Sequence, residues 1–129
     1  MIEKRISQDV PGPATRPCPS AGHGKKCPTC GAPRKGLDTC HRCRSDLRLL
    51  IAVEVRASRL FQRGLEAYRD GWFRIAATRA SAACRLEARP EFLRLLATSS
   101  LRAGDFRAAL RAVRRLGHVR RRSATPLAE

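Results

Sequence analysis

The chain has 129 residues, the size of one domain, but only 43% are hydrophobic and 5% aromatic, so its core must be small. Lys and Arg number 27 against 11 Asp and Glu, which gives a formal charge of +16. This charge favours a polyanion or an acidic protein surface as a partner, or it reflects only Arg side chains on solvated helix faces. A run of about eighteen apolar residues is absent, which excludes a bilayer-spanning helix, and no apolar stretch follows the first residues to form a secretory signal, so we expect the cytoplasm.

The first segment, residues 1–26, holds four of the eight prolines and shows no apolar period. Such a composition predicts an extended arm rather than packed structure. Cys18 and His23 lie in this arm, and we expect neither of them to bind a metal.

Four of the six cysteines follow in the pattern C-x2-C-x9-C-x2-C, as Cys27, Cys30, Cys40 and Cys43. In a cytosolic chain this spacing favours one metal ion over disulfides, because each C-x-x-C turn points two thiolates at the same ion. A shell of four sulfurs is closed to water, which indicates a structural metal rather than a hydrolytic one. We expect His41, inside the second pair, to be a bystander.

The residues CPTCG and CHRC resemble the two knuckles of a zinc ribbon, a small β module that we place at residues 27–45. The resemblance implies zinc. It also extends to rubredoxin, whose CPxCG knuckles hold iron, although rubredoxins usually separate their pairs further. Many ribbons have glycine after the second pair, whereas this chain has Arg44.

Residues 46–117 have a helical pattern. The first helix is predicted after an N-cap at Ser45 or Asp46, with an apolar stripe that a single Glu54 interrupts. Cys84, among alanines, is expected to be a small buried residue. The predicted helices run from this cap to Asp70-Gly71, from Trp72 to Ala88, from Pro90 to Ala103-Gly104, and from Asp105 to Leu116.

A shift of 33 residues superimposes the two halves of this helical region. The matching pairs are Gly64 with Ala97, Gly71 with Gly104, Phe73 with Phe106, and Ala76 with Ala109. The pattern is similar to the tetratricopeptide repeat. The predicted fold is therefore mainly α, with two antiparallel helical hairpins behind the extended arm and the small β zinc ribbon.

About three repeat units usually make a stable solenoid, and this chain has two at most. We therefore expect the stack to be covered by the ribbon, by a second copy of the chain, or by another protein. Side chains expected to be left open to a protein partner are Leu93, Leu96, Ala97 and Ser100. The basic tail that we assign to residues 118–129 offers polyanion-binding candidates at Arg120, Arg121 and Arg122.

The sequence contains no recognisable catalytic motif, so we expect a protein that is not an enzyme. The leading interpretation is an adaptor or accessory subunit of a larger complex. One alternative is a nucleic-acid-binding protein, and another is a redox subunit with iron in the four-sulfur site. The basic residues around the cysteines that would meet phosphates are Lys25, Lys26, Arg34, Lys35, Arg42 and Arg44.

Overall fold

A computed structural model describes the backbone of residues 25–124 and the side chains of residues 25–122. The predicted arm up to residue 24, with Cys18 and His23, lies outside the described residues. The described chain is mainly helical, as predicted, and its helices are α1 (Arg48–Arg69), α2 (Phe73–Leu86), α3 (Pro90–Arg102) and α4 (Phe106–Ala124).

The start of α1 differs from the prediction. Its N-cap is Leu47, and neither Ser45 nor Asp46 caps it. The Asp46 carboxylate instead accepts a hydrogen bond from the Arg48 backbone N–H at 2.9 Å and pairs with the Arg48 guanidinium at 2.8 Å. These local bonds hold the carboxylate against Arg48 itself and away from the next turn of α1.

The end of α4 also differs from the prediction. We expect the helix to stop near Leu116, but it continues through residues 118–124, which we assign from the sequence to the basic tail. Gly117 does not break the helix, and Leu116 and Val119 both pack against the hydrophobic core. Because these contacts lie on either side of Gly117, they carry the helix past it.

The two turns inside the hairpins are equivalent, as the 33-residue shift predicts. Gly71 and Gly104 have φ angles of 81° and 82°, a left-handed conformation that glycine adopts without steric cost. The surrounding backbone hydrogen bonds match as well. In the first turn the backbone N–H groups of Asp70, Gly71 and Trp72 donate to the carbonyls of Glu66, Tyr68 and Ala67, respectively. In the second turn the N–H groups of Ala103, Gly104 and Asp105 donate to the carbonyls of Ser99, Leu101 and Ser100, in the same order.

The helices pack in chain order, α1 on α2, α2 on α3 and α3 on α4. Ala76 and Ala109 are buried in this stack, as predicted, and so is Cys84. Within residues 25–124, no helix has the length and apolar character needed to cross a bilayer. The largest core cluster consists of Ala57, Ala83, Cys84, Phe92 and Leu93.

The burial of α3 corrects one expectation about exposed side chains. Leu93 is 0% exposed and Ser100 is 2% exposed, whereas Leu96 and Ala97 are partly exposed. The reason is that α3 lies between α2 and α4 and uses two sides for packing. Leu93 and Ser100 therefore do not contribute to an open surface of this chain.

Candidate metal centre

The first cysteine pair lies in a tight turn at the start of what we call the cysteine module, residues 25–47. The Gly31 N–H donates to the Cys27 carbonyl at 2.9 Å, and the Cys27 N–H donates to the Ala32 carbonyl at 2.8 Å. Gly31 has a φ of 71°, so the turn needs the left-handed conformation that glycine allows. A single antiparallel bridge between Lys26 and Pro33 closes the turn.

The second pair repeats this geometry without a glycine. The Arg44 N–H donates to the Cys40 carbonyl at 2.9 Å, and the Cys40 N–H donates to the Ser45 carbonyl at 2.9 Å. Arg44 takes the position of Gly31 with a φ of 58°, which is strained for a residue with a Cβ. A bridge between Thr39 and Asp46 closes this turn, as the bridge between Lys26 and Pro33 closes the first.

The two turns bring all four thiols together. Cys27 Sγ lies 3.6 Å from Cys43 Sγ, Cys30 Sγ lies 3.6 Å from Cys40 Sγ, and all four sulfurs fall within 4.8 Å of one another. A tetrahedral ion with metal–sulfur bonds of about 2.3 Å holds its sulfurs about 3.8 Å apart. The cysteines are not joined as disulfides. The four thiols thus have the spacing of a tetrahedral metal site.

Hydrogen bonds prepare two of these thiols for the thiolate form that a metal requires. Ser45 Oγ lies 3.1 Å from Cys43 Sγ, and this contact, with the Ser45 backbone N–H, lowers the pKa of Cys43 to about 6. The backbone N–H of Cys30 lowers the pKa of Cys27. At Cys30 the Ala32 N–H acts in the same direction, but burial and the neighbouring thiols raise the pKa to about 11. The neighbouring thiols raise this pKa because thiolates repel one another, and a bound cation would offset that repulsion.

Four protein sulfurs complete a tetrahedral shell and leave no position for an activated water. Cys27 and Cys40 are buried, whereas His41 is exposed and does not join the sulfur cluster. The site can therefore bind and hold a metal ion, and its geometry suits a structural role.

The module is packed against the start of α1. Ala32 and the cysteines share an apolar cluster with Leu47, Leu50 and Ile51. The metal site is thereby connected to the helical stack through the first turn of α1.

A buried ion pair adds to this connection. Arg34 in the module directs Nη2 at both carboxylate oxygens of Glu54 in α1, at 2.7 and 2.8 Å, and the two side chains are only 3% and 10% exposed. Within the described residues, Nε and Nη1 of Arg34 are buried without a hydrogen-bond partner. Glu54 thus supplies the counter-charge for a cation that is out of contact with water.

Lys25 extends the ion pair to the far end of the first hairpin. Its Nζ lies 3.2 Å from Glu54 Oε1 and donates to Glu87 Oε1 at 2.9 Å, while Arg89 Nε lies 2.9 Å from Glu87 Oε2. Burial raises the pKa of Glu87, but hydrogen bonds from Arg89 and Lys25 outweigh it and leave the pKa below its usual value. The network joins the module to α1 and to the loop between α2 and α3.

The sequence held a signal for this contact that we interpreted differently. Glu54 interrupts an otherwise apolar stripe, and the structure shows why, since it faces Arg34. The nucleic-acid alternative assigns Arg34 and Lys25 to phosphate contacts, but both are engaged in ion pairs within the chain. The other basic residues of the module are exposed, namely Lys26, Lys35, Arg42 and Arg44, and so are Arg120, Arg121 and Arg122 on α4.

Comparison with protein-family models, with curated proteins and with solved structures finds no match to this chain. The function must therefore be inferred from the geometry of the metal site and from the surfaces of the helical stack.

Proposed function

We propose that this chain is a non-catalytic adaptor or accessory subunit that docks on a protein partner through its helices. The observation that carries this proposal is an apolar surface at the α4 end of the stack. We call it the open face and define it by four side chains that are each more than half exposed: Leu101 (54%), Phe106 (68%), Leu110 (52%) and Val113 (53%).

Three of these residues form a stripe along one helix. Phe106, Leu110 and Val113 are spaced four and three residues apart, so they lie on one side of α4. Leu101 lies just before them, near the end of α3. Contiguous apolar surface of this kind marks interaction sites in soluble proteins, whereas single exposed apolar residues do not.

The metal site at the other end of the stack suits a non-catalytic protein, because a closed shell of four sulfurs indicates a structural ion. We assign zinc to the four cysteines, because a closed tetrahedral sulfur shell suits a structural zinc and the CPTCG and CHRC turns resemble a zinc ribbon. A purified protein that is colourless and carries one zinc per chain is the expected result. A red protein that bleaches on reduction would instead identify an iron site and the redox alternative.

The charge of the chain favours a second candidate, binding to nucleic acid. α4 carries seven Arg and neither Asp nor Glu, including the exposed Arg120. Phosphate binding would use these Arg side chains but not the apolar stripe. The two candidates therefore predict different responses to substitution.

The experiment is quantitative co-purification of the full chain from its native host after nuclease treatment. The Leu110→Glu variant places a charge in the open face, and a variant with Ser at Arg120, Arg121 and Arg122 removes positive charge near the end of α4 and leaves the four side chains of the open face unchanged. Leu49→Glu is the matched control, because Leu49 is 80% exposed on α1, at the opposite end of the stack.

The proposal predicts a protein recovered in stoichiometric amount with the wild type and with Leu49→Glu, and lost with Leu110→Glu. Circular dichroism must show that each variant keeps its helices. Recovery that survives Leu110→Glu but is lost with the triple Arg variant, together with tight oligonucleotide binding, would replace the adaptor with the nucleic-acid alternative.

A further inference from the structure

We propose that the open face receives an amphipathic helix with one acidic flank, supplied by a partner protein and laid on α4 as α3 is laid on α2. This inference rests on the proposed function, because it requires a protein partner. It goes further in naming the shape and charge of the segment that binds.

The first hairpin shows how such a surface is covered. The residues of α2 that correspond to Phe106, Leu110 and Val113 are Phe73, Ala77 and Ala80, 33 positions earlier. α3 packs over this side of α2, and Ala80 is 0% exposed.

Phe73 is covered in the same way. Its ring makes an edge contact with Tyr68 at 5.3 Å between centroids, and the Arg102 guanidinium from α3 lies 4.8 Å over the ring. Tyr68 and Phe73 correspond to Leu101 and Phe106 in the second hairpin, and both of the latter are more than half exposed. The chain thus repeats the surface, but within the described residues no third layer covers it.

Two side chains of the open face are larger than the corresponding side chains of α2. Leu110 and Val113 stand where the first hairpin has Ala77 and Ala80. Covering them removes more apolar area from water, at roughly 25 cal/mol per Å². A helix with its own apolar stripe is the element that fits beside α4, because the preceding layer of the stack is already a helix.

The charges on one side of the stripe specify one flank of that helix. Arg107 and Arg114 directly follow Phe106 and Val113, about 100° around α4, and both are exposed. Arg111 is also exposed. Glu or Asp beside the partner's apolar stripe would form ion pairs with these side chains, and Arg fits carboxylates in a bidentate manner.

The same charges argue against a second copy of this chain as the occupant. A second copy of α4 would bring Arg against Arg, because the helix has no Asp or Glu.

The probe for the test is a synthetic peptide based on α3, the segment that covers the equivalent surface. It carries the sequence of Pro90–Arg102 with Glu in place of Arg94, Thr98 and Arg102. A scrambled peptide of the same composition keeps the charge but loses the apolar stripe. Fluorescence anisotropy measures binding of each labelled peptide to the full, metal-loaded chain.

We expect saturable binding of the acidic amphipathic peptide, at least tenfold weaker binding of the scrambled one, and weaker binding at high salt. Leu110→Glu should weaken binding of the amphipathic peptide by tenfold or more, whereas Leu49→Glu should leave it unchanged. Replacing Arg107 and Arg114 by Gln should weaken it several-fold and reduce its salt dependence.

Equal binding of both peptides, or equal loss with Leu110→Glu and Leu49→Glu, would overturn the inference. So would a concentration-dependent dimer of the chain that Leu110→Glu dissociates, since a second copy would then occupy the open face. If the peptide fails while Leu110→Glu still abolishes recovery of the native partner, the adaptor stands and only the acidic helix is wrong. Loss of the native partner with the triple Arg variant alone would end both proposals.

Discussion

Glu54→Gln tests the buried connection between the cysteine module and the helical stack. The substitution keeps the size of the side chain and removes the charge that balances Arg34, whose side chain is only 3% exposed. Removing one partner of a buried ion pair typically costs about 3 to 5 kcal/mol, because the other charge remains out of water. Lys25 would keep only its ion pair with Glu87.

The measurement is chemical and thermal unfolding of the metal-loaded chain, followed by helical circular dichroism. For a domain of this size the expected loss corresponds to a fall in Tm of roughly 15 °C or more. Metal content should stay unchanged, because the cysteines do not depend on Glu54. The matched control is Glu91→Gln, since the Glu91 side chain is 49% exposed and lies 3.9 Å from Arg89. That change should cost less than about 1 kcal/mol.

A double variant separates the ion pair from simple packing. Replacing both Arg34 and Glu54 by Leu removes both charges and should recover most of the lost stability, because apolar replacement of a buried pair is often neutral. The ion-pair explanation would be wrong if Glu54→Gln cost no more than Glu91→Gln, or if the double variant were less stable than Glu54→Gln.

Four further predictions concern the metal, the repeat, one turn and pH. Cys40→Ser should lose the metal ion, measured by elemental analysis, and full retention would contradict the four-sulfur site. Ala109→Phe should destabilise the stack by about 1 to 3 kcal/mol in a denaturant titration, because Ala109 is 8% exposed, whereas the exposed Arg111→Ala should change little. Arg44→Gly should slow metal loss to a chelator by relieving the strained φ of 58°, and faster loss would count against that strain. Because the pKa of Glu87 is lowered, its contribution to the free energy of unfolding is present above about pH 4.5 and is lost as the pH falls below that value. Glu87→Gln should therefore flatten the dependence of stability on pH in that range, and identical curves for the two proteins would exclude the contribution.

The sequence predicted those features that depend on local spacing. The C-x2-C pairs placed the four thiols together because each tight turn fixes two sulfurs within a few residues. Gly71 and Gly104 marked equivalent turns because the left-handed conformation restricts the choice of residue. The start of α3 followed from Pro90, which fits the first turn of a helix.

Features that depend on contacts between distant segments were missed. Arg34 and Glu54 are twenty positions apart, and only the packing of the module on α1 makes them partners. The end of α4 was placed too early, because the packing of Leu116 and Val119 against the core outweighs the local effect of Gly117. The apolar pattern predicted the helix α3 but not which of its apolar side chains are buried. Leu93 faces inward, whereas Leu101 faces solvent.

The most direct test of the adaptor proposal is site-specific photocrosslinking at position 110 in the native host, with position 49 as the control. A photoreactive residue at Leu110 would label whatever covers the open face, and mass spectrometry would identify the labelled peptide. We predict one protein, crosslinked from position 110 but not from position 49, through a segment with an apolar stripe and one acidic flank. Crosslinks only to nucleic acid or to a second copy of this chain, or none above the position 49 control, would contradict the proposal.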